Sequence, residues 1–139
     1  QLALIPDSYI DLTAEKIRID KELDSLSSDK ELEKMKTRMA DRFGKIPVEL
    51  ERLFDIVRIR QLGKELGFEK IIIKNGVMIA FFITNPLSQY YRSDRFSKVL
   101  EKISQHPKLF EVKQPDGRLR IMVRNVDGIS KAYDILKML

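Results

Sequence analysis

Apolar residues recur three and four apart as far as Leu66, whereas from Glu69 they run in short blocks, Ile71-Ile72-Ile73 and residues 77–83, split by Asn75-Gly76. That change of period around Gly67 is the tightest constraint on the fold. A helix presents one face every 3.6 residues or so, and a strand every 2. Asn-Gly between two apolar runs is the strongest two-residue hairpin signal, because the tight turn that matches strand twist needs φ > 0 at both positions. Helices therefore come first in this chain and strands afterwards.

The spacing predicts three helices before the change. Thr13 is placed to cap the first, whose Ile19, Leu23 and Leu26 fall at i, i+4 and i+7, and Ser27-Ser28 ends it. Ser28-Asp29-Lys30-Glu31 reads as a capping box, with the Ser28 hydroxyl accepting from the Glu31 amide and the Glu31 carboxylate from the Ser28 amide. Leu32, Met35 and Met39 form the seam of this second helix, and Gly44 supplies the left-handed stop after Phe43. Pro47 opens a third helix that runs through Leu50, Leu53, Phe54, Val57, Leu62 and Leu66 to Gly67. Ahead of all three, Ile5-Pro6-Asp7-Ser8-Tyr9-Ile10 reads as extended or turn-like.

After the first hairpin, Asn85-Pro86 ends the second strand, Ser93 caps a fourth helix carrying Phe96, Val99, Leu100 and Ile103, and Pro107 lies beyond it. Residues 110–113 pair with 119–124 across Pro115-Asp116-Gly117, and a last helix carries Ile129, Ala132, Tyr133, Leu136 and Leu139. Residues 69–104 and 109–139 thus each read strand, strand, helix. The fold class is α+β: an N-terminal layer of three helices, then a four-stranded antiparallel sheet built from two such units, with helices on one face. Residues 1–12 read as an extended lead-in from a preceding domain. Residues 13–139 read as a single α+β domain, helical over 13–67 and sheet with helices over 68–139. The opening Gln1-Leu2-Ala3-Leu4-Ile5 has neither the charged nor the long apolar region of a signal peptide and reads as a chain entered midway.

A chain of 139 residues with 43% apolar side chains can bury a core without cross-links, and the absence of cysteine suits a reducing compartment, with cytosol the default. No apolar run approaches the roughly 18 residues of a membrane span. Residue patterns for chemistry are missing. There is no Gly-rich phosphate loop and no Gly-x-Ser-x-Gly, and the single histidine, His106, has no second histidine or cysteine to share a metal. The carboxylate pairs Glu31 with Glu33 and Glu49 with Glu51 are spaced i, i+2, so they point to different sides of a helix. No catalytic residue, cofactor or metal ligand is predicted, and the chain reads as an interaction module.

The net charge is +5, unevenly spread: residues 1–43 carry 8 basic and 10 acidic side chains, leaving 18 and 11 for the rest. A nucleic-acid-binding accessory domain is therefore the alternative reading. Its candidates are Lys70, Lys74, Arg92, Arg95, Lys98, Arg118, Arg120 and Arg124, with Tyr90 and Tyr91 for stacking. The aromatic-rich strands of an RNA recognition motif are lacking. A different kind of signal lies in Asp41-Arg42-Phe43-Gly44-Lys45-Ile46-Pro47. Asp41 sits unfavourably at a helix C-terminus while Arg42 sits favourably, which hints at an ionic partner.

Three stretches carry a family resemblance: residues 4–10, then Asp41-Arg42-Phe43-Gly44 with Pro47, then Ile56-Val57-Arg58-Ile59-Arg60 running into Leu66-Gly67. In this order and spacing, over residues 2 to about 80, the chain resembles the C-terminal domain of the bacterial transcription-repair coupling factors. The resemblance implies a non-catalytic regulatory domain within an ATP-driven DNA translocase that displaces stalled RNA polymerase and recruits the excision-repair protein UvrA. It implies that this domain packs on a UvrB-like N-terminal module of the same polypeptide, hides its UvrA-binding surface and restrains the motor. Asp41 and Arg42 are then the expected ionic contacts, with Phe43, Gly44 and Pro47 setting the corner between helices. Arg38 joins them one turn earlier on the same face, although the family often has an acidic residue about there. Whether Arg58 and Arg60 meet solvent, a carboxylate of this domain or the neighbouring motor is open.

Overall fold

The computed structural model describes residues 5–10 and 12–139. Leu4 of the resembling motif, the rest of the first four residues of the expected lead-in and Asp11 lie outside the described residues. The chain divides into two compact units, Gln1–Gln61 and Leu62–Leu139.

The first unit is built from α1 (Thr13–Ser25), α2 (Asp29–Phe43) and most of α3 (Val48–Leu66), the division falling inside the last. Its core gathers the predicted stripes, Ile19 and Leu23 with Leu32, Met35 and Met39 and with Leu50, Leu53, Phe54 and Val57; Ile5 and Ile10 of the lead-in are buried in the same cluster. Ion pairs run antiparallel along the helices. Glu15 and Glu22 of α1 meet Arg42 and Arg38 of α2, while Lys36 of α2 reaches Glu51 of α3 at 3.0 Å.

Two of the predicted caps are corrected. Thr13 lies inside α1, whose N-cap is Leu12 without a side-chain cap bond. In the capping box, the Glu31 amide does donate to Ser28 Oγ at 3.2 Å, but the Glu31 carboxylate accepts from the Ser27 amide, at 2.9 Å, rather than from Ser28. Pro47 stands one residue ahead of α3 and its carbonyl accepts from the Leu50 and Glu51 amides. Gly44 stops α2 at φ 91°, as its lack of a Cβ permits.

The second unit carries β1 (Phe68–Lys74), β2 (Val77–Phe82), α4 (Asp94–Gln105), β3 (Glu111–Lys113), β4 (Arg120–Arg124) and α5 (Ile129–Leu136). The four strands form one antiparallel sheet in the order β1-β2-β4-β3. Burial alternates along β2, with Met78, Ala80 and Phe82 covered and Val77, Ile79 and Phe81 half-buried. An irregularity between Phe68 and Lys70 makes Glu69 the extra residue of a bulge, so Phe68 shares the covered face with Phe82, their ring centroids 4.6 Å apart. Phe96 of α4 packs edge-on against Phe82 at 5.7 Å, which sets α4 on that face.

Tyr90 and Tyr91 sit in a single 3₁₀ turn, Gln89–Arg92. Their hydroxyls donate to the carbonyls of Leu66 and Ile83. Burial pushes the Tyr90 hydroxyl up to about 12, with Tyr91 adding to the rise and Arg95 opposing it. Between pH 10 and about 12 the folded chain keeps a proton that the unfolded chain gives up, so this group's stabilisation is complete below pH 10 and is lost as pH rises through 12. Phenolate absorbance should accordingly show a phase near pH 12, and Tyr90→Phe should remove it.

Candidate functional site

The α2–α3 corner is assembled by a contact that joins two distant motifs. The Tyr9 hydroxyl lies 3.0 Å from the Gly44 carbonyl and 3.2 Å from that of Met39, and donates between them. Its ring packs at 5.8 Å from Phe43, and the Arg42 guanidinium covers Phe43 from 4.8 Å. Burial, with a smaller contribution from Glu51, holds the Tyr9 hydroxyl above its ordinary value. Gly44 carries a carbonyl that α2 cannot satisfy, and Tyr9 takes up that acceptor. Tyr9→Phe should keep the ring contact and lose only the hydrogen bond, a cost of about 1 kcal/mol. A shift of the urea midpoint with unchanged slope would report it, and a loss of several times that size would mean the corner itself had come apart.

Of the residues expected at an interface, Arg38 and Arg42 share one side of α2 and line an open groove of about 320 Å³ with Glu15, Arg18 and Glu22 of α1. Arg42 Nη2 stands 3.4 Å from Glu15 Oε1, a carboxylate also held by Arg18, and Arg38 is paired with Glu22. Both arginine side chains remain more than half exposed, 60% for Arg42 and 65% for Arg38. Pairs that wet contribute about 0–1 kcal/mol each. Asp41 does not line the groove. It faces solvent, and among the described residues it has neither an ion pair nor a side-chain hydrogen bond. Phe43 and Pro47 are half-buried and Gly44 is exposed, with Lys45 and Val48 exposed beside them.

Arg58 and Arg60 both turn to carboxylates of the same unit. Arg58, its side chain 20% exposed, reaches Glu33 at 2.6 Å, Asp29 at 3.3 Å and Asp55 at 3.7 Å. Arg60 pairs with Asp24 at 3.3 Å. Desolvation raises the Asp55 carboxyl, opposed by Arg58 and Lys36 and reinforced by Glu51. Glu15, Glu22 and Tyr9 are the site residues that reasoning along the chain did not find. Their partners lie 27, 16 and 35 positions away, and no local pattern encodes such pairs.

No group of three or more metal-ligating side chains occurs among the described residues, and none of the described helices is long and apolar enough to cross a membrane. Several candidates of the nucleic-acid reading are engaged elsewhere. The rings of Tyr90 and Tyr91 pack on Phe96, Arg95 pairs with Glu65 at 3.2 Å and Arg124 with Glu111 at 3.1 Å.

A family model described as the TRCF domain matches residues 2–93. The transcription-repair-coupling factor of Rickettsia prowazekii is 34% identical over 124 residues, 88% of this chain and 10% of that protein. Its counterpart in Escherichia coli is 35% identical over 69 residues, half of this chain. A crystal structure of the C-terminal domain of a transcription-repair coupling factor superposes with a TM-score of 0.73 at 14% identity, covering 96% of this chain and 81% of that one; at that identity the likeness speaks for the fold. The chain spans about a tenth of the length of the curated relatives it matches.

Proposed function

The chain belongs to the transcription-repair coupling factor family, and from that premise we propose that residues 13–139 act as one regulatory interaction domain, preceded by a lead-in through residue 12. The domain packs on the UvrB-like module of its own polypeptide, masks the surface that recruits UvrA, and holds the ATP-driven DNA translocase in check until RNA polymerase is engaged. Contact with DNA, polymerase and UvrA runs through the parent protein, in the cytoplasm.

The observation that carries this reading is the state of the charges at the α2–α3 corner. Asp41 is exposed and without a partner among the described residues, at a helix end whose dipole disfavours it, beside two arginines whose own pairs are wet. A charge kept there against the local field is accounted for by a complementary charge on another surface. The wet pairs of Arg38 and Arg42 can be exchanged for carboxylates of a partner at small cost. A releasable clamp also needs weak locks, since every 1.4 kcal/mol or so is a tenfold change in population and a deep minimum could not be opened by binding.

The test is calorimetric titration of the chain against the separately produced UvrB-like module, with Asp41→Ala and Arg42→Ala variants and a duplex-DNA control. Binding that Asp41→Ala or Arg42→Ala weakens by about 2 kcal/mol or more supports the clamp. No binding to the module, together with firm and salt-steep DNA binding, overturns it in favour of the nucleic-acid reading.

A further inference from the structure

The sheet of the second unit has a half-buried face that the family assignment leaves unexplained. Directly opposed residues of antiparallel strands share a face, so the register reads off three rows on it. Lys113, Arg120, Phe81 and Lys70 make one row, Glu111, Met122, Ile79 and Ile72 the next, and Arg124, Val77 and Lys74 the third. An aliphatic row across three strands is thereby flanked by two cationic ones. The face holds five cations against one carboxylate, Glu111, which Arg124 takes up at 3.1 Å. Lys70, Lys74, Lys113 and Arg120 form no ion pair among the described residues, and Arg120 Nε is buried without a hydrogen-bond partner.

From this pattern we propose that the open face of the sheet docks an acidic amphipathic helix of a partner protein, its apolar stripe on Ile72, Ile79 and Met122 and its carboxylates on the two cationic rows. The dimensions agree. Rows two residues apart on a strand are separated by about 7 Å, so the cationic rows stand about 14 Å apart, and a helix with side chains is about 10–12 Å wide. Four strands at about 4.8 Å spacing accommodate roughly three helical turns. The sign of the rim selects carboxylate-bearing partners, as complementary potentials do at interfaces, and the aliphatic row suits i, i+3, i+4 anchors.

A single nucleic-acid strand fits less well. Strand binding relies on aromatic platforms, and the one aromatic residue of the three rows, Phe81, already has Lys70 and Arg120 over its ring at 5.8 and 5.7 Å. The proposal concerns a surface of the second unit and does not depend on the α2–α3 corner.

Fluorescence anisotropy with the full chain tests it. The probe is a labelled, end-capped peptide of roughly 14 residues, with leucine at i, i+3, i+4 and i+7 and glutamate between. Its controls are the same peptide with lysine for glutamate, and an oligothymidylate. The acidic peptide should saturate with micromolar affinity, about tenfold or more tighter than the lysine version. Lys74→Glu with Lys113→Glu should weaken it about tenfold, whereas Lys30→Glu with Lys34→Glu on α2 should change it less than twofold. Amide shifts on titration should cluster at Ile72, Ile79 and Met122, a readout that stands even if the sheet variant fails to fold. Equal binding of the two peptides, no saturation, or equal loss from both pairs of reversals would overturn the proposal. So would tighter binding of oligothymidylate that the sheet reversals abolish, which would assign the face to single strands.

Discussion

Gly67→Ala should destabilise the second unit by about 3 kcal/mol, among the larger losses available to a single methyl group in this chain. Two costs add at this position. Gly67 sits at φ 102°, where an L side chain costs about 1–2 kcal/mol, and its new Cβ would overlap the hydroxyl-bearing edge of the Tyr90 ring. That ring has little room to yield. Its hydroxyl donates to Leu66, and it packs between Phe96 at 5.2 Å and Tyr91 at 5.4 Å. Overpacking of this kind adds about 1–3 kcal/mol. The comparison that separates the two terms is Gly76→Ala, at φ 76° with nothing within 4 Å of the new Cβ, which should cost about 1 kcal/mol from backbone conformation alone. Urea unfolding of both variants checks this. Equal losses would mean that Tyr90 swings aside freely.

Phe54→Ala should cost about 3–5 kcal/mol, because Phe54 is fully buried and its removal opens a cavity that α1, α2 and α3 cannot close together. Lys36 Nζ lies over the ring at 5.6 Å and is also bound to Glu51, so part of the loss is electrostatic. Phe54→Leu keeps most of the volume and should cost less than about 1.5 kcal/mol. Denaturant titration of the pair gives the difference directly. An alanine variant within 1 kcal/mol or so of the leucine variant would show that the site collapses around the vacancy. If the corner at Asp41 and Arg42 is a binding surface, Phe54→Ala should also weaken partner binding while touching neither residue.

The elements themselves were legible because their signals are local. The Asn75-Gly76 turn, the stops at Gly44 and Gly67, the Ser28 and Ser93 caps and the strand–strand–helix order all come from neighbours within a few residues, and all appear in the fold. Reading along the chain failed where two local choices compete within a residue or two. Leu12 rather than Thr13 precedes α1, and Ser27 rather than Ser28 takes the Glu31 carboxylate, since helix ends are soft to one residue and a neighbouring donor can win. At the candidate site, the types Asp41, Arg42 and Arg38 could be picked from the sequence, but not which charges are already spent.

Sequence alone determined the α+β class, the helix and strand order and the placement of the glycine stops, because backbone sterics and hydrophobic period act over a turn or a strand. Only tertiary structure decided that Tyr9 clasps Gly44, that Arg58 is shared among Glu33, Asp29 and Asp55, and that the Glu69 bulge puts Phe68 and Lys70 on opposite faces of the sheet. Each of those depends on groups far apart along the chain. An ion pair or a hydroxyl's acceptor is chosen by whichever group packing brings within about 3 Å, and no spacing rule within one element carries that distance.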